Sequence, residues 1–177
     1  TLERYGYGYV FDSNRINADE AKREVEEKLG YEVTLVNNFK FKAGVYEKNW
    51  ISNCISLGLS SGFLEPMSAT NIGTMIFQLQ YLQNNLNHYN GNHVTLFNIF
   101  SKKMSENFMS LVFSHYLNPI RKTDFWKHYT ENVPDSIKEV FARWESSIPT
   151  FNEFSSITDD RGFALQSWFD VSYGLDL

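Results

Sequence analysis

The sequence predicts a mixed α/β (α+β) first part followed by a mainly helical second part, with the division near residue 96. Three observations predict it. Residues 5–11 and 39–46 alternate with a period of two, as half-buried strands do. Two stretches, Asn17–Gly30 and Asn71–Leu86, carry helical periodicity with recognisable ends. From residue 97 onward no convincing strand pattern remains. Residues 1–96 and 97–177 are therefore read as two structural parts.

In the first strand Tyr5, Tyr7, Tyr9 and Phe11 share one face. Gly6 and Gly8 leave the other face bare, as if a backbone or ligand lay close to it. The next element, a helix, has Asn17 as N-cap, Glu20 three residues later as in a capping box, and Gly30 as its stop. Ala18, Ala21, Val25 and Leu29 form its narrow apolar stripe. Strands are expected again at Tyr31–Val36 and Phe39–Tyr46, and Trp50–Leu59 reads as a more uniformly apolar, buried central strand. In the helix from Asn71 to Leu86, the residues Ile72, Met75, Ile76, Leu79, Leu82 and Leu86 mark the expected buried side. The Asn-rich segment 84–92 is a turn or loop. Among the later helices the clearest comes after Pro134-Asp135, with Ile137, Val140, Phe141 and Trp144 at helical spacing.

Composition excludes several functions. The 177 residues hold 16 basic and 21 acidic side chains, a net charge of −5, with no basic cluster to neutralise nucleic-acid phosphates. No run of apolar residues is long enough to span a bilayer. Cys54 is the single cysteine, which rules out an intrachain disulfide and makes a reducing cytoplasm the default. Lying in an apolar run, it reads as a buried, inert thiol. The opening TLERYGYGYV lacks a signal-peptide pattern and reads as a chain entered in mid-strand. His88 and His93 flank an Asn-Gly turn without a third ligand nearby, and His115 and His128 sit in helical stretches; none is read as a metal ligand. Trp126 and Trp144 read as core.

The informative stretch is Trp50–Ile72, WISNCISLGLSSGFLEPMSATNI. Physically it is a strand, a glycine-hinged loop, and a helix entered just after Thr70. A helix start exposes unpaired N–H groups and the positive end of its dipole, which suits an anion. A plain strand-to-helix turn would use the same residues, and from composition alone both readings stay open.

This stretch resembles the flavin-dependent halogenases of the tryptophan-halogenase type. Their pattern of Trp, Asn-Cys, a Gly-Leu-Ser/Ala-Ser-Gly turn and Phe-Leu-Glu-Pro-Leu-Glu-Ser-Thr is similar to Trp50, Asn53-Cys54, Gly58–Gly62, Phe63–Pro66 and Met67-Ser68-Ala69-Thr70. Upstream Arg4 and Gly6–Val10, and downstream His115-Tyr116, Asp124–Trp126, Pro134–Ser136 and Ser167–Gly174, extend the likeness over nearly the whole chain. The resemblance implies the C-terminal part of an FAD-dependent monooxygenase-like fold, followed by a helical, substrate-side subdomain. It implies an oxidoreductase in which reduced FAD, delivered by a separate flavin reductase, reacts with molecular oxygen to a flavin hydroperoxide. A halide (chloride or bromide) then yields a hypohalous species that attacks an aromatic or electron-rich small molecule.

By the same resemblance, Thr70 and Asn71 bind the halide, and Gly62, Phe63, Pro66, Thr70 and Ile72 lie at the cofactor. Phe63, Pro66, Ser68 and Trp168 face the substrate. The family's dinucleotide motif, active-site Lys and Trp-x-Trp-x-Ile-Pro motif are expected upstream of residue 1. Two departures stand out. Ser68 occupies the position of the family's active-site Glu, and a hydroxyl cannot serve as a carboxylate base near neutral pH. The tail Asn152–Trp168 is short and lacks the polar constellation that grips free tryptophan, so a looser aromatic substrate is expected. Glu65 is read as structural, holding the turn before the helix. A flavin monooxygenase that hydroxylates or epoxidises, a non-catalytic flavin-binding relative, and a helical interaction module are the competing readings. A homo-oligomer is left open.

Overall fold

The computed structural model describes residues 5–86, 90–118, 120–147 and 165–175, with backbone alone at Ser68 and Leu165. The chain is mixed helix and sheet, mostly helical, and its backbone separates into two compact units, Thr1–Lys42 and Ala43–Leu177. His88 and most of the tail that began at Asn152 lie outside the described residues.

In the first unit, helix α1 (Ala18–Leu29) forms as its end signals require. Asn17 accepts from the Asp19 and Glu20 amides at 3.0 Å, and Glu20 answers the Asn17 amide at 2.8 Å. Gly30 closes the helix in the left-handed region at φ 77°. Tyr9 donates to Glu24, and the Val33 amide donates to Glu26 at 2.9 Å. The strands expected at residues 5–11 and 31–36 are not formed. The alternation is present, but no neighbouring strand among the described residues completes a ladder, and lone strands are not stable.

The described residues of the second unit form four two-residue strands in two antiparallel pairs. Of the strand expected at Phe39–Tyr46 only β1 (Gly44–Val45) is paired, with β4 (Gly62–Phe63), in the register Gly44 opposite Phe63 and Val45 opposite Gly62. The run 50–59 is not a continuous buried strand. It folds back as a hairpin of β2 (Trp50–Ile51) and β3 (Cys54–Ile55), turning at Ser52 with φ 55°, and then makes a 3₁₀ turn over Gly58–Ser60. The hairpin turns Ile51 and Cys54 outward, so Cys54 is exposed rather than buried. An apolar run with two consecutive short polar residues inside it, Ser52-Asn53, has enough turn chemistry to break.

Among the described residues five helices complete the unit: α2 (Thr70–Asn85), α3 (Asn92–Ser114), α4 (Asp124–Glu131), α5 (Asp135–Ser146) and α6 (Leu165–Leu175). None among the described residues is long and apolar enough to cross a membrane. Trp50, Leu82, Phe97, Phe100, Met104 and Phe108 form the main core, with Trp50 edge-on to Phe97 at 5.7 Å. A second core joins Leu111 and Trp168, with Trp144 and Val171 against them. Ile137 and Val140 of α5 are buried as their spacing requires, whereas Trp126 of α4 is only half-buried.

Helix α2 departs most from expectation. Its buried side is Thr70, Thr74, Gln78 and Leu82. Of the six residues expected inside, Leu82 is buried, whereas Ile72, Met75, Ile76, Leu79 and Leu86 are 41–59% exposed. Thr70, Thr74 and Gln78 recur every four residues, so they make a polar ridge of the same helical period as the apolar one. Periodicity defines two opposite faces without saying which one this chain covers.

Candidate functional site

The site is built where the loop 58–62 hands the chain to α2. Gly58 takes φ 53° and donates its amide to Oε1 of the fully buried Gln78 at 2.8 Å, so α2 itself anchors the loop. Ser61 Oγ donates to the Gly58 carbonyl at 2.7 Å, and Ser60 Oγ to the Leu57 carbonyl at 2.8 Å. Gly62 comes next, packed so closely to β1 that a Cβ there would sit 2.6 Å from Val45 Cγ1 and 2.7 Å from Val45 Cα. This is a close backbone approach that only glycine permits.

After Phe63-Leu64, Glu65 accepts a hydrogen bond at 2.5 Å from the phenol of Tyr116, 51 residues away. Tyr116 is half-buried beside Tyr129, Phe125 and Trp126, at ring distances of 4.9, 6.0 and 6.1 Å. Burial first, then the Glu65 hydrogen bond and charge, hold this phenol protonated well above the usual tyrosine range. Pro66, at φ −68°, leads into a 3₁₀ turn over Met67–Ala69. Ala69 then adopts φ 51°, ψ 34°, a left-handed conformation that an alanine takes at a cost of roughly 1–2 kcal/mol. Among the described side chains none caps α2, and Ala69 at the N-cap offers no oxygen to its first-turn amides.

Thr70 is 3% exposed, and its Oγ1 has no hydrogen-bond partner among the described residues. It lines a small cavity with Ser61, Gly62, Leu64, Thr74 and Ser105. About 10 Å³ is open there to the centre of a water-sized sphere, room for a single water and far too little for a flavin ring. On the outer side Ala69 and Ile72 are exposed and Asn71 is half-buried. An orphaned hydroxyl, an uncapped helix start and a strained residue thus meet at one point. Strain of this kind gathers at ligand clamps.

The residues named from sequence fall in two places. Gly62, Phe63, Pro66, Ser68, Thr70, Asn71 and Ile72 come together around the start of α2, with the Ser68 side chain outside the described atoms. Trp168 does not join them. It is 1% exposed and packed on Leu111 and Trp144, in the second core. Tyr116, Gln78 and the conformation of Ala69 were not identified as site features from sequence, and none has a local signal that would have marked it. Among the described residues no group of three or more His, Cys, Asp or Glu is placed to hold a metal. The His93 ring accepts from the Asn90 amide at 2.8 Å, and the His115 ring lies 2.9 Å from the Leu111 carbonyl.

Known proteins resemble this chain in sequence and in fold. The family model for tryptophan halogenase matches residues 2–177. Tryptophan 6-halogenase SttH of Streptomyces toxytricini is 31% identical over 157 residues, covering 84% of this chain and 29% of that enzyme. Tryptophan 7-halogenase RebH of Lentzea aerocolonigenes is 32% identical over 144 residues, covering 78% of this chain and 27% of its own length. The crystal structure of SttH superposes with a TM-score of 0.79 at 26% identity, over 92% of this chain and 33% of that one. Xcc4156, a flavin-dependent halogenase from Xanthomonas campestris, gives 0.80 at 25% identity, over 93% and 33%. The chain therefore spans about a third of the length of these relatives. With the family model running from residue 2 to residue 177, the chain belongs to the tryptophan halogenase family.

Proposed function

We propose that this chain forms the halide-side wall of an FAD-dependent halogenase acting on an aromatic or electron-rich small molecule. The observation that carries the reading is the start of α2, uncapped and preceded by Ala69 in the left-handed region, with the buried Thr70 hydroxyl left without a partner among the described residues. A halide arriving from the outer side meets the amides of Thr70 and Asn71 at the positive end of the helix. A single small monovalent anion suits such amides, and no metal is needed to hold it.

When bound, FAD with molecular oxygen supplies the oxidising power that makes the halide electrophilic. The small cavity fits no flavin, so the chain contributes at most one surface to that cofactor. Gly62, Phe63, Pro66, Thr70 and Ile72 would form this surface, the exposed Ile72 meeting the ring edge. Phe63 and the exposed Pro66 would give the organic substrate an apolar wall. Ser68 offers a hydroxyl that orients a reactant without acting as a carboxylate base. Residues 1–96 would belong to the flavin-binding module and 97–177 to the substrate side, within the monooxygenase-like fold. Reduced flavin would come from a separate reductase, and a reducing cytoplasm suits the exposed Cys54.

Joining the chain to the rest of a family-length enzyme, in one polypeptide or by co-expression, allows the test. Supplied with a flavin reductase, NADH, bromide and an indole or phenol, this enzyme should give a brominated product only when bromide is present. Oxygen insertion independent of halide would point instead to a monooxygenase. A second reading, a non-catalytic relative, rests on Ser68; absence of product from both the native form and Ser68→Glu would establish it over the first.

A further inference from the structure

We propose that Tyr116 is a positioning residue for the anion-binding start of α2, acting by pinning the Glu65 carboxylate. The inference rests on the halide-site reading of that helix start. The two residues are 51 apart in sequence and 2.5 Å apart at their oxygens. Glu65 makes its one side-chain hydrogen bond among the described residues with this phenol. The backbone between Glu65 and the helix has little freedom. A residue before proline is restricted to extended backbone, and the Pro66 ring sets φ at −68°. One 3₁₀ turn and the left-handed Ala69 then deliver the chain to Thr70. A pin at Glu65 is therefore a pin on the direction in which the Thr70 and Asn71 amides point.

The anchor at the other end is firm. Tyr116 lies just past the last turn of α3, where its amide donates to the Phe113 carbonyl at 2.9 Å. Its ring is held by Tyr129, Phe125 and Trp126 around α4. On the other side of the loop, Gly62 against Val45 and Gly58 on Gln78 fix residues 58–62. Tyr116 supplies the corresponding tie at 65, between those anchors and the helix. The phenol bonds Glu65 rather than Thr70 or Asn71, so its role is placement and not chemistry.

Two readouts test this. Hydrogen–deuterium exchange on the chain, resolved to the peptide spanning 62–74, should accelerate in Tyr116→Phe and Glu65→Ala, with peptides of α5 unchanged. Glu65→Gln keeps an acceptor for the phenol and should restore most of the protection. In the family-length enzyme the KM for bromide should rise roughly 5- to 30-fold in Tyr116→Phe, the factor that losing one well-made hydrogen bond implies. The double variant Tyr116→Phe/Glu65→Ala should be no worse than either single one. Unchanged exchange at 62–74 together with an unchanged bromide KM in Tyr116→Phe overturns the inference, as does a Glu65→Gln that behaves like Glu65→Ala. If the parent enzyme gives no bromide-dependent product while the exchange pattern holds, the halogenase reading fails and the positioning role stands.

Discussion

Asn98 holds the Trp50 hairpin to α3 with one side-chain amide, and replacing it by alanine should be costly. Its Oδ1 accepts from the backbone amides of Asn49 and Trp50, both at 2.8 Å, and its Nδ2 donates to the Trp50 carbonyl at 2.9 Å. Asn49 and Trp50 are 4% and 7% exposed, so the freed groups have little access to water. Each lost bond is worth about 1 kcal/mol net, and the abandoned buried partners push the total up rather than down. We expect Asn98→Ala to lose about 3 kcal/mol, or roughly 6–12 °C in Tm for a chain of this size. Urea unfolding monitored by tryptophan fluorescence measures it, since Trp50 sits in the affected hairpin. Asn98→Asp keeps the acceptor for both amides and loses only the donor, so it should fall between the parent and Asn98→Ala. A loss below about 1 kcal/mol for Asn98→Ala would show that the hairpin is held by the packing of Trp50 on Phe97 instead, and that the hydrogen-bond argument is wrong.

The same geometry sets three further outcomes. Gly62→Ala should cost at least 1–3 kcal/mol by overpacking, because its Cβ would strike Val45; adding Val45→Ala should recover only part, since the Val45 Cα at 2.7 Å remains. A thermal melt of the two variants decides it. Met75→Gln with Leu79→Gln should leave the urea midpoint of the chain nearly unchanged, each within about 0.5 kcal/mol, while lowering the binding of an apolar dye. A large fall in midpoint would mean that these residues are packed. Finally, the raised Tyr116 pKa stabilises the fold while the phenol is protonated. In the unfolded chain it ionises near 10, below its folded value, so this contribution is lost progressively as pH rises above about 10. Tyr116→Phe should show a shallower alkaline loss of stability than the parent; equal slopes would remove Tyr116 as the cause.

What was legible in the sequence was what is decided locally. Asn17, Glu20 and Gly30 specify both ends of α1 within a few residues of each other, and the helix forms as written. The same holds for α5 behind Pro134-Asp135. The Trp50–Ile72 stretch could be placed at a loop-to-helix junction because its glycines and Pro66 act on their own backbone. Strands are another matter. Tyr5–Phe11 alternates as a strand should, but a strand exists only when a neighbour supplies the other half of its hydrogen bonds. Nothing in the alternation says whether one is present. The same limit hid the Glu65–Tyr116 pair, whose members are joined by folding alone.

Helix α2 departs from its sequence pattern for a different reason. Its two ridges were both visible in the sequence, one of Ile72, Met75, Ile76 and Leu79, the other of Thr70, Thr74 and Gln78. The hydrophobic effect says that the first should be covered, and in this chain the second is. The inversion is not a failure of the physical rule, because the chain spans about a third of the length of its relatives. Covering those four half-exposed side chains would gain on the order of 1 kcal/mol each, enough to favour a partner surface. The polar ridge, by contrast, is already committed: Gln78 holds Gly58, and Thr70 lines the cavity with Ser105. A helix whose polar face organises its own loop, and whose apolar face is left outward, is built to place the Thr70 end of α2 at a boundary. The cofactor-side site proposed for the Thr70 end would lie at such a boundary.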